Sequence, residues 1–343
     1  MAETIERRAD VLGGFANALP DPSLLLDRKS VVIHRNLAAE REFPGIVVGQ
    51  LLNLALRNPT LLGAVDGVRR TGKAQTVELH QTVPNETWHR AHVAPLPHSE
   101  GAILITLQNL TDHKRLEQLR SDFIANASHE LRTPLASLIG FIETMQGPAS
   151  KDEKARERFL GIMQQQAARM SALIDDLLSL SRIEMRQHLK PTGHVELRQL
   201  LSEVRDGLET HAREAGVKIE IDAPGPVTVT GERGELYEVF ENLIDNAIKY
   251  GGAGGLVEVA IAPGRAPYDY VVSVTDHGAG VALEHVPRLT ERFYRVDAES
   301  SRKRKGTGLG LAIVKHIVNR HRGMLTIRSK LGEGTRVEVS LNK

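Results

Sequence analysis

Residues Phe123–Leu135 read F-I-A-N-A-S-H-E-L-R-T-P-L, and the apolar rhythm that runs through them sets the architecture of the middle of the chain. From Leu131 onward apolar residues recur at Leu135, Leu138, Ile142 and Met145, alternating steps of four and three, which is a heptad seam on a long helix. Upstream, Leu116, Leu119 and Phe123 follow the same rule one residue out of phase. The slip falls at Phe123–Ile124, and such discontinuities change coiled-coil winding locally. Extended backward, the downstream seam passes through Ser128 and leaves His129 on its flank, where a partner can reach it. Thr111 or Asp112 is the expected N-cap. Pro134 is expected to bend the helix, since it has no N–H and its ring crowds the carbonyl of Glu130.

Gly147-Pro148-Ala149-Ser150 stops this helix, and a second is expected from about Lys151 to Gln187. Its seam is Phe159, Met163, Gln166, Met170, Leu173, Leu177 and Leu180. Two antiparallel helices with one apolar face each cannot close a core alone. A homodimeric four-helix bundle is the economical solution, and packing on another domain of the chain is the alternative. His129 beside Glu130 is a common arrangement for a base-assisted nucleophile. Taken alone, the pair is more often only a polar spot on an amphipathic helix.

Working outward to the N-terminal side, residues 1–110 pattern as a small α/β domain. Ala9–Leu19 reads as a short helix ended by Pro20 and Pro22, and strand-like runs follow at Ser23–Leu26, Val31–Arg35, Gln75–Leu79, Trp88–Ala94 and Ala102–Leu107. Helical segments at Gly49–Arg57 and Pro59–Arg70 lie between the second and third runs. Two strands, a helical middle and three strands resemble a PAS domain, as do L-P-D-P-S-L-L-L-D and I-H-R-N-L-A-A-E. Six histidines fall between His34 and His113. Isolated surface or core histidines are the ordinary reading, a haem or metal ligand the rarer one. Whether this domain takes a small ligand or only relays a signal is left open.

The chain has 343 residues, which leaves room for two or three domains. Hydrophobic content of 41% and charged content of 25% are those of an ordinary soluble protein, and a net charge of +1 gives no reason to expect nucleic acid. The absence of cysteine excludes disulfides, thiolate chemistry and Cys–zinc sites. No apolar run approaches the roughly 18 residues that cross a bilayer. The start, M-A-E-T-I-E-R-R-A-D, lacks the apolar core of a signal peptide. No membrane segment is expected in this chain, which reads as cytoplasmic as given. An inner-membrane anchor lying outside it is left open.

On the C-terminal side, after the linker Pro191-Thr192-Gly193, residues 194–343 mix helices (Leu197–Ala215, Glu235–Tyr250, Leu309–Arg322) with strands (Val217–Ile221, Val257–Ile261, Tyr270–Thr275, Met324–Ser329, Arg336–Leu341). Strict β-α-β alternation is missing, so an α+β sandwich is expected. Asn242, Asn246, Lys249 and Tyr250 recur about one turn apart on one helix, a set able to hold phosphate oxygens and hydrated Mg²⁺. Asp276-His-Gly278-Ala-Gly280 ends an apolar strand in a carboxylate that can accept from an exocyclic amine, with glycines permitting close backbone approach. Gly306-Thr307-Gly308-Leu309-Gly310 opens a helix whose N–H groups form an anion site. Gly332-Glu-Gly334-Thr335 is a turn. Each signal is weak singly. A Rossmann reading fails because no G-x-G-x-x-G follows a first strand, and a Walker reading fails for want of G-K-[ST].

In combination and order these stretches resemble the sensor histidine kinases of two-component systems across about residues 112–343. S-H-E-L-R-T-P-L is similar to their phosphoacceptor box, the asparagine helix to the N box, D-H-G-A-G to G1, E-R-F-Y-R (Glu291–Arg295) to the F box and G-T-G-L-G to G2. E-R-F-Y-R-V-D and G-T-G-L-G-L-A-I-V-K-H-I-V are most similar to phosphate-regulon sensor kinases, which implies phosphate-starvation signalling. The resemblance implies a PAS-like sensor at 1–110, dimerisation and phosphotransfer helices at 111–190, and a Bergerat-type α/β-sandwich ATP-binding domain at 194–343. It implies that His129 takes the γ-phosphoryl group of ATP with Glu130 as base, and passes it to an aspartate of a response-regulator receiver domain. Thr133 would position water for the reverse, phosphatase reaction. Asn246 would ligate Mg²⁺ with help from Asn242, and Lys249 and Tyr250 would contact nucleotide. Asp276 would bind the adenine amine in a pocket shaped by Gly278 and Gly280. Ala298–Thr307 would form a lid, with Gly306, Thr307, Gly308, Leu309 and Gly310 as its hinge and anion cradle.

The departures are Lys305 where the G2 box usually carries a second glycine, the basic run Arg302–Lys305, His277, and the glycine-rich Gly251–Gly255. Pivots at Thr192–Gly193 and near Phe123 are expected to set activity. The rival classes are a plain ATPase sharing the nucleotide fold and a dimeric scaffold with a dead pocket. The separate His-Glu helix argues against the first, and the intact set Asn246, Asp276 and glycines against the second.

Overall fold

The start of the N-terminal sheet is organised by one side chain. Asn36, almost wholly buried, accepts from the backbone N–H groups of Ser23 and Ala39 and donates to the carbonyls of Ala16, Leu19 and Asp21. It thereby caps helix α1 (Leu37–Glu42) and pins the chain entering strand β1 (Ser23–Leu26) beside β2 (Val32–Arg35). The computed structural model describes residues 14, 16–82, 85–97, 99, 101–147, 152–223, 225–296 and 306–343. It divides into two compact units, Met1–Ile124 and Ala125–Lys343, and the division falls where the heptad phase slips.

In the first unit a short α2 (Leu52–Ala55) and α3 (Pro59–Thr71) precede β3 (Gln75–Gln81), β4 (Thr87–Pro95) and β5 (Ile103–Asn109). The sheet order is β2-β1-β5-β4-β3, antiparallel throughout. This is the expected pattern of two strands, helices and three strands. Helix α3 carries its boundaries in its sequence: Asn58 caps it, Pro59 opens it, and Gly72 closes it at φ 67°. The expected helix Gly49–Arg57 shortens to Leu52–Ala55, since Gly49 sits at φ 91° and Asn58-Pro59 starts a new helix. Helix α1 was not foreseen, and the expected Ala9–Leu19 helix lies largely outside the described residues.

The histidines have separate partners. Buried His89 meets Glu42 and tilts against Phe43, His80 stacks on Trp88, His92 meets Thr76, and His34 meets Asn17. Among the described residues no group of three His, Cys, Asp or Glu is placed to hold a metal.

Helix α4 runs from Thr111 to Gln146 and continues through Pro134. Its first N–H is capped by the side chain of Asn109 rather than by Thr111 or Asp112, because the Thr111 hydroxyl already accepts from Trp88. Helix α5 (Glu153–Met185) starts at Asp152, whose carboxylate accepts from Ala155. The foreseen α5 seam is half-buried or buried along its whole length, and Phe159 meets Phe141 of α4 at 5.2 Å. A different stripe of α5 stays exposed, with Leu160, Ile174, Leu178 and Met185 between 43% and 74% accessible. On α4, Leu135, Ile139 and Ile142 are likewise exposed. Thus the hairpin closes on one face and leaves a second apolar face open.

Beyond α5 come β6 (His194–Glu196), α6 (Leu197–Glu214), β7 (Lys218–Asp222), β8 (Thr228–Thr230), α7 (Arg233–Gly251), β9 (Leu256–Pro263), β10 (Tyr270–Asp276), α8 (Gly310–Arg320), β11 (Met324–Lys330) and β12 (Gly334–Leu341). The sheet order is β11-β12-β10-β9-β7, with β7 parallel to β9 and the other pairs antiparallel. Helices cover it, as an α+β sandwich requires. Leu236, Val239, Phe240, Leu243, Ile244, Ala247 and Ile248 of α7 are all buried, a helical apolar face that drives this packing.

The small β6–β8 pair was not foreseen, its strands being too short for a readable alternation. Gly193 is not a free pivot. Its carbonyl accepts from Gly231, and an added Cβ would lie 2.7 Å from the Gly231 oxygen.

Candidate functional site

The pocket begins at the end of β10. Asp276 is the last residue of that strand, between Val257 of β9 and Thr335 of β12, and only 8% exposed. Its carboxylate accepts from the N–H of Gly278 at 2.9 Å. Burial raises its pKa above the ordinary carboxylate range, against the opposing pull of the Gly278 and Thr335 N–H groups. Around it the backbone comes so close that side chains are excluded. A Cβ on Gly251 would lie 2.3 Å from that of Asp276, and one on Gly278 2.6 Å from the Gly251 Cα. Gly280 sits at φ 65° and Gly334 at φ 93°, where each would bring a Cβ to 2.0 Å from a backbone oxygen. A buried acceptor in a cradle of glycines suits a flat heterocycle with an exocyclic amine.

Helix α7 supplies the next wall. Asn242 donates to the Glu238 carbonyl at 2.9 Å, and its Oδ1 faces the start of α8, where a Cβ on Gly310 would come within 2.4 Å. Asn246 is half-buried on the same face. Lys249 pairs with Asp245, which also meets His211 at 3.0 Å. Tyr250 is exposed, and a Cβ on Gly306 would lie 2.7 Å from its hydroxyl.

At the G2 stretch, Gly308 sits at φ 77° and its carbonyl accepts from Phe293, itself at φ 63°. The Leu309 side chain is buried in the core, while its N–H reaches the Thr307 hydroxyl at 3.3 Å. Of the expected lid, Ala298–Lys305 lies outside the described residues, as does the basic run Arg302–Lys305.

His129 is exposed on α4, with the Thr133 hydroxyl donating to its carbonyl at 3.2 Å. Glu130 is half-buried. Its Oε2 accepts from Arg169 of α5 at 3.2 Å and from Arg295 at 3.5 Å. Arg295 also donates to the Gly306 carbonyl. Two hydrogen bonds therefore join Gly306 to the residue next to His129. Further along the hairpin, Thr307 donates to Asp176 at 2.7 Å, Ser179 donates to Glu238, Arg292 pairs with Glu184, and Arg320 holds both Glu235 and the Arg186 carbonyl.

Between α5, α6 and α7 lies a cleft of about 610 Å³ lined by Asp175, Asp176, Glu238, Glu241 and Asp245, with Arg182 among them. Burial first, and mutual repulsion after it, raise the pKa values of Asp176, Glu238 and Glu241. A carboxylate raised by docking adds stability below its ordinary range, and loses that contribution as the pH climbs through the raised value. These three carboxylates should therefore hold the hairpin and ATP domain less firmly as the pH rises, while His316, half-buried beside Glu184 of α5 with its pKa lowered by that burial, acts in the opposite sense as the pH falls. Asp176→Asn, which keeps an oxygen for Thr307, should hold them together better than wild type at pH 8, with the gap closing as the pH falls. Energy transfer between labels on α4 and β11, placed on cysteines introduced into this cysteine-free chain, measures it. A pH-independent gap would refute the expectation. His316 and buried His321 have lowered pKa values and cost stability below about 6.5, but both are common to wild type and Asp176→Asn and cancel in that comparison.

Arg169 and Asp176 escaped the sequence reading. Their signal was present, because Ile162, Gln166, Arg169, Leu173, Asp176, Leu180 and Ile183 form one heptad stripe of buried or half-buried residues. A charge inside such a stripe calls for a partner.

Comparison with known proteins agrees with this geometry. The family described as the His Kinase A (phospho-acceptor) domain matches residues 119–186, and the Histidine kinase-, DNA gyrase B-, and HSP90-like ATPase family matches residues 231–343. The chain is 35% identical over 322 residues to the Phosphate regulon sensor protein PhoR of Pseudomonas aeruginosa, covering 93% of this chain and 71% of that protein. It is 34% identical over 238 residues to the Sensor-like histidine kinase SenX3 of Mycolicibacterium smegmatis, covering 69% and 61%. With the Sensor protein kinase WalK of Staphylococcus aureus it shares 32% identity over 239 residues, covering 69% and 57%. An ATP-binding sandwich whose Gly306 is hydrogen-bonded through Arg295 to the residue beside an exposed helical histidine, in a chain with these relatives, places it in one family: the chain belongs to the sensor histidine kinases of two-component signalling.

Proposed function

We propose that His129 attacks the γ-phosphorus of ATP held at Asp276, forming an N–P bond as the bond to ADP breaks, and that Glu130 receives the imidazole proton. The phosphoryl group then passes to an aspartate of a receiver domain, and Thr133 aligns water for the reverse hydrolysis. The observation that supports this reading is the chain Gly306–Arg295–Glu130, which joins the start of the G2 stretch to the residue beside His129. Mg²⁺ neutralises charge on the phosphates when bound. Asn246 would be its ligand from the protein, with water and phosphate oxygens completing the shell, since a hard cation takes an amide oxygen and needs no carboxylate cage. Lys249, Tyr250, Thr307 and the N–H groups of Gly308, Leu309 and Gly310 would face the nucleotide, and Gly278 and Gly280 the base.

The exposed stripes Leu135–Ile139–Ile142 and Leu160–Ile174–Leu178–Met185 support a homodimer that closes a four-helix bundle. Residues 1–110 would be a PAS-like relay, 111–190 the phosphotransfer helices and 194–343 the catalytic domain. Likeness to a phosphate-regulon sensor over most of the chain supports phosphate-starvation signalling. Among the described residues no helix is long and apolar enough to cross a membrane. The chain is read as cytoplasmic, with an inner-membrane anchor outside it left open. Incubation with γ-labelled ATP and Mg²⁺ should leave an acid-labile, base-stable label that moves to a receiver domain. An unlabelled wild-type protein would overturn the reading.

A further inference from the structure

The base assigned to Glu130 faces a geometric difficulty. Consecutive residues of a helix point about 100° apart, so His129 and Glu130 do not face each other by default. In the structure His129 is exposed, while Glu130 turns toward α5 and is half-buried. A three-torsion side chain in that setting needs an anchor to keep its carboxylate in one place, and leaving it buried without a partner is costly.

Two guanidinium groups reach the same atom, Oε2, and they differ in what else they hold. Arg295 shares itself with the Gly306 carbonyl at the foot of the lid. Arg295 belongs to the ATP domain, so its grip on Glu130 depends on where that domain stands. Arg169 lies on α5, inside the helical pair that also carries Glu130, and is only 21% exposed at the side chain. Its grip persists when the ATP domain moves. With Oε2 occupied by the arginines, Oε1 is the oxygen left to meet the imidazole proton.

Resting on the kinase reading above, we propose that Arg169 is a positioning residue for the phosphotransfer, holding the Glu130 carboxylate in place for His129. Arg169 acts through Glu130 and touches neither nucleotide nor the reacting nitrogen.

Arg169→Met should lower the autophosphorylation kcat by roughly ten- to a hundredfold, the scale of a displaced general base, with the KM for ATP within about twofold of wild type. Arg169→Lys should recover part of the rate, because a point charge holds one oxygen without the guanidinium fork. In a Glu130→Gln background, Arg169→Met should cost nothing further. A wild-type rate in Arg169→Met would overturn the proposal. So would an equal loss in the Glu130→Gln background, which would mean that Arg169 supports the hairpin instead. Light scattering on each variant checks that the oligomer is intact. An unlabelled wild-type protein would sink the kinase reading itself, whereas a labelled wild type with a fully active Arg169→Met protein would sink only the role of Arg169.

Discussion

Replacing His129 by glutamine is expected to abolish the acid-labile label while leaving nucleotide affinity within about twofold and stability within about 0.5 kcal/mol. The side chain is exposed, and the contact recorded at His129 is made by its backbone carbonyl, which accepts from Thr133. Glutamine is a good helix former of similar length, so α4 loses no propensity. In the proposed reading, nucleotide is held by a different domain, through Asp276 and the glycines around it. Loss of the acceptor therefore separates transfer from binding, which a mutation in the pocket cannot do. Calorimetric titration with ADP, a thermal melt and the label assay on the same preparation decide it. A label that survives in His129→Gln would mean that the phosphoryl group lands elsewhere.

Gly251→Ala should be nearly as severe by the opposite route, lowering nucleotide affinity about a hundredfold while the label at His129 fades for lack of bound ATP. Gly251 has helical backbone angles, φ −93° and ψ −1°, so alanine is conformationally acceptable there. The obstacle is space. The new methyl would sit 2.3 Å from the Asp276 Cβ and 2.7 Å from its Cγ. Asp276 cannot retreat, since β10 is hydrogen-bonded on both edges, so the end of α7 or the carboxylate must shift. Overpacking of this kind costs about 1–3 kcal/mol. Here the displaced group is the acceptor proposed for the adenine amine. Gly252→Ala is the matched control, because its Cβ would meet Val217 at an ordinary 3.7 Å. Equal affinities in the two variants would show that nucleotide does not depend on Asp276.

Much of this was legible in the residues. The heptad steps from Leu131 to Met145 gave α4, Asn58-Pro59 and Gly72 gave both ends of α3, and the order of the phosphoacceptor, N, G1, F and G2 stretches gave the family. These are local signals, because a helix period, a cap or a left-handed glycine is decided within a few residues. Local rules fail where they compete. Thr111 is a good cap by type, yet its hydroxyl is claimed by Trp88, some twenty residues back, so Asn109 takes the role.

By itself, then, the sequence determined the elements, the fold class and the family, and it singled out His129 as the candidate acceptor, since periodicity and motif spacing are written along the chain. Tertiary structure alone decided which apolar stripe of α5 is closed and which stays open, because both have heptad spacing and only packing distinguishes them. It alone decided the partners of Glu130. The same limit applies to His129 itself: Arg169 lies 40 residues from the acceptor and Arg295 farther still, and no local rule joins them until α5 and the ATP domain fold back on α4.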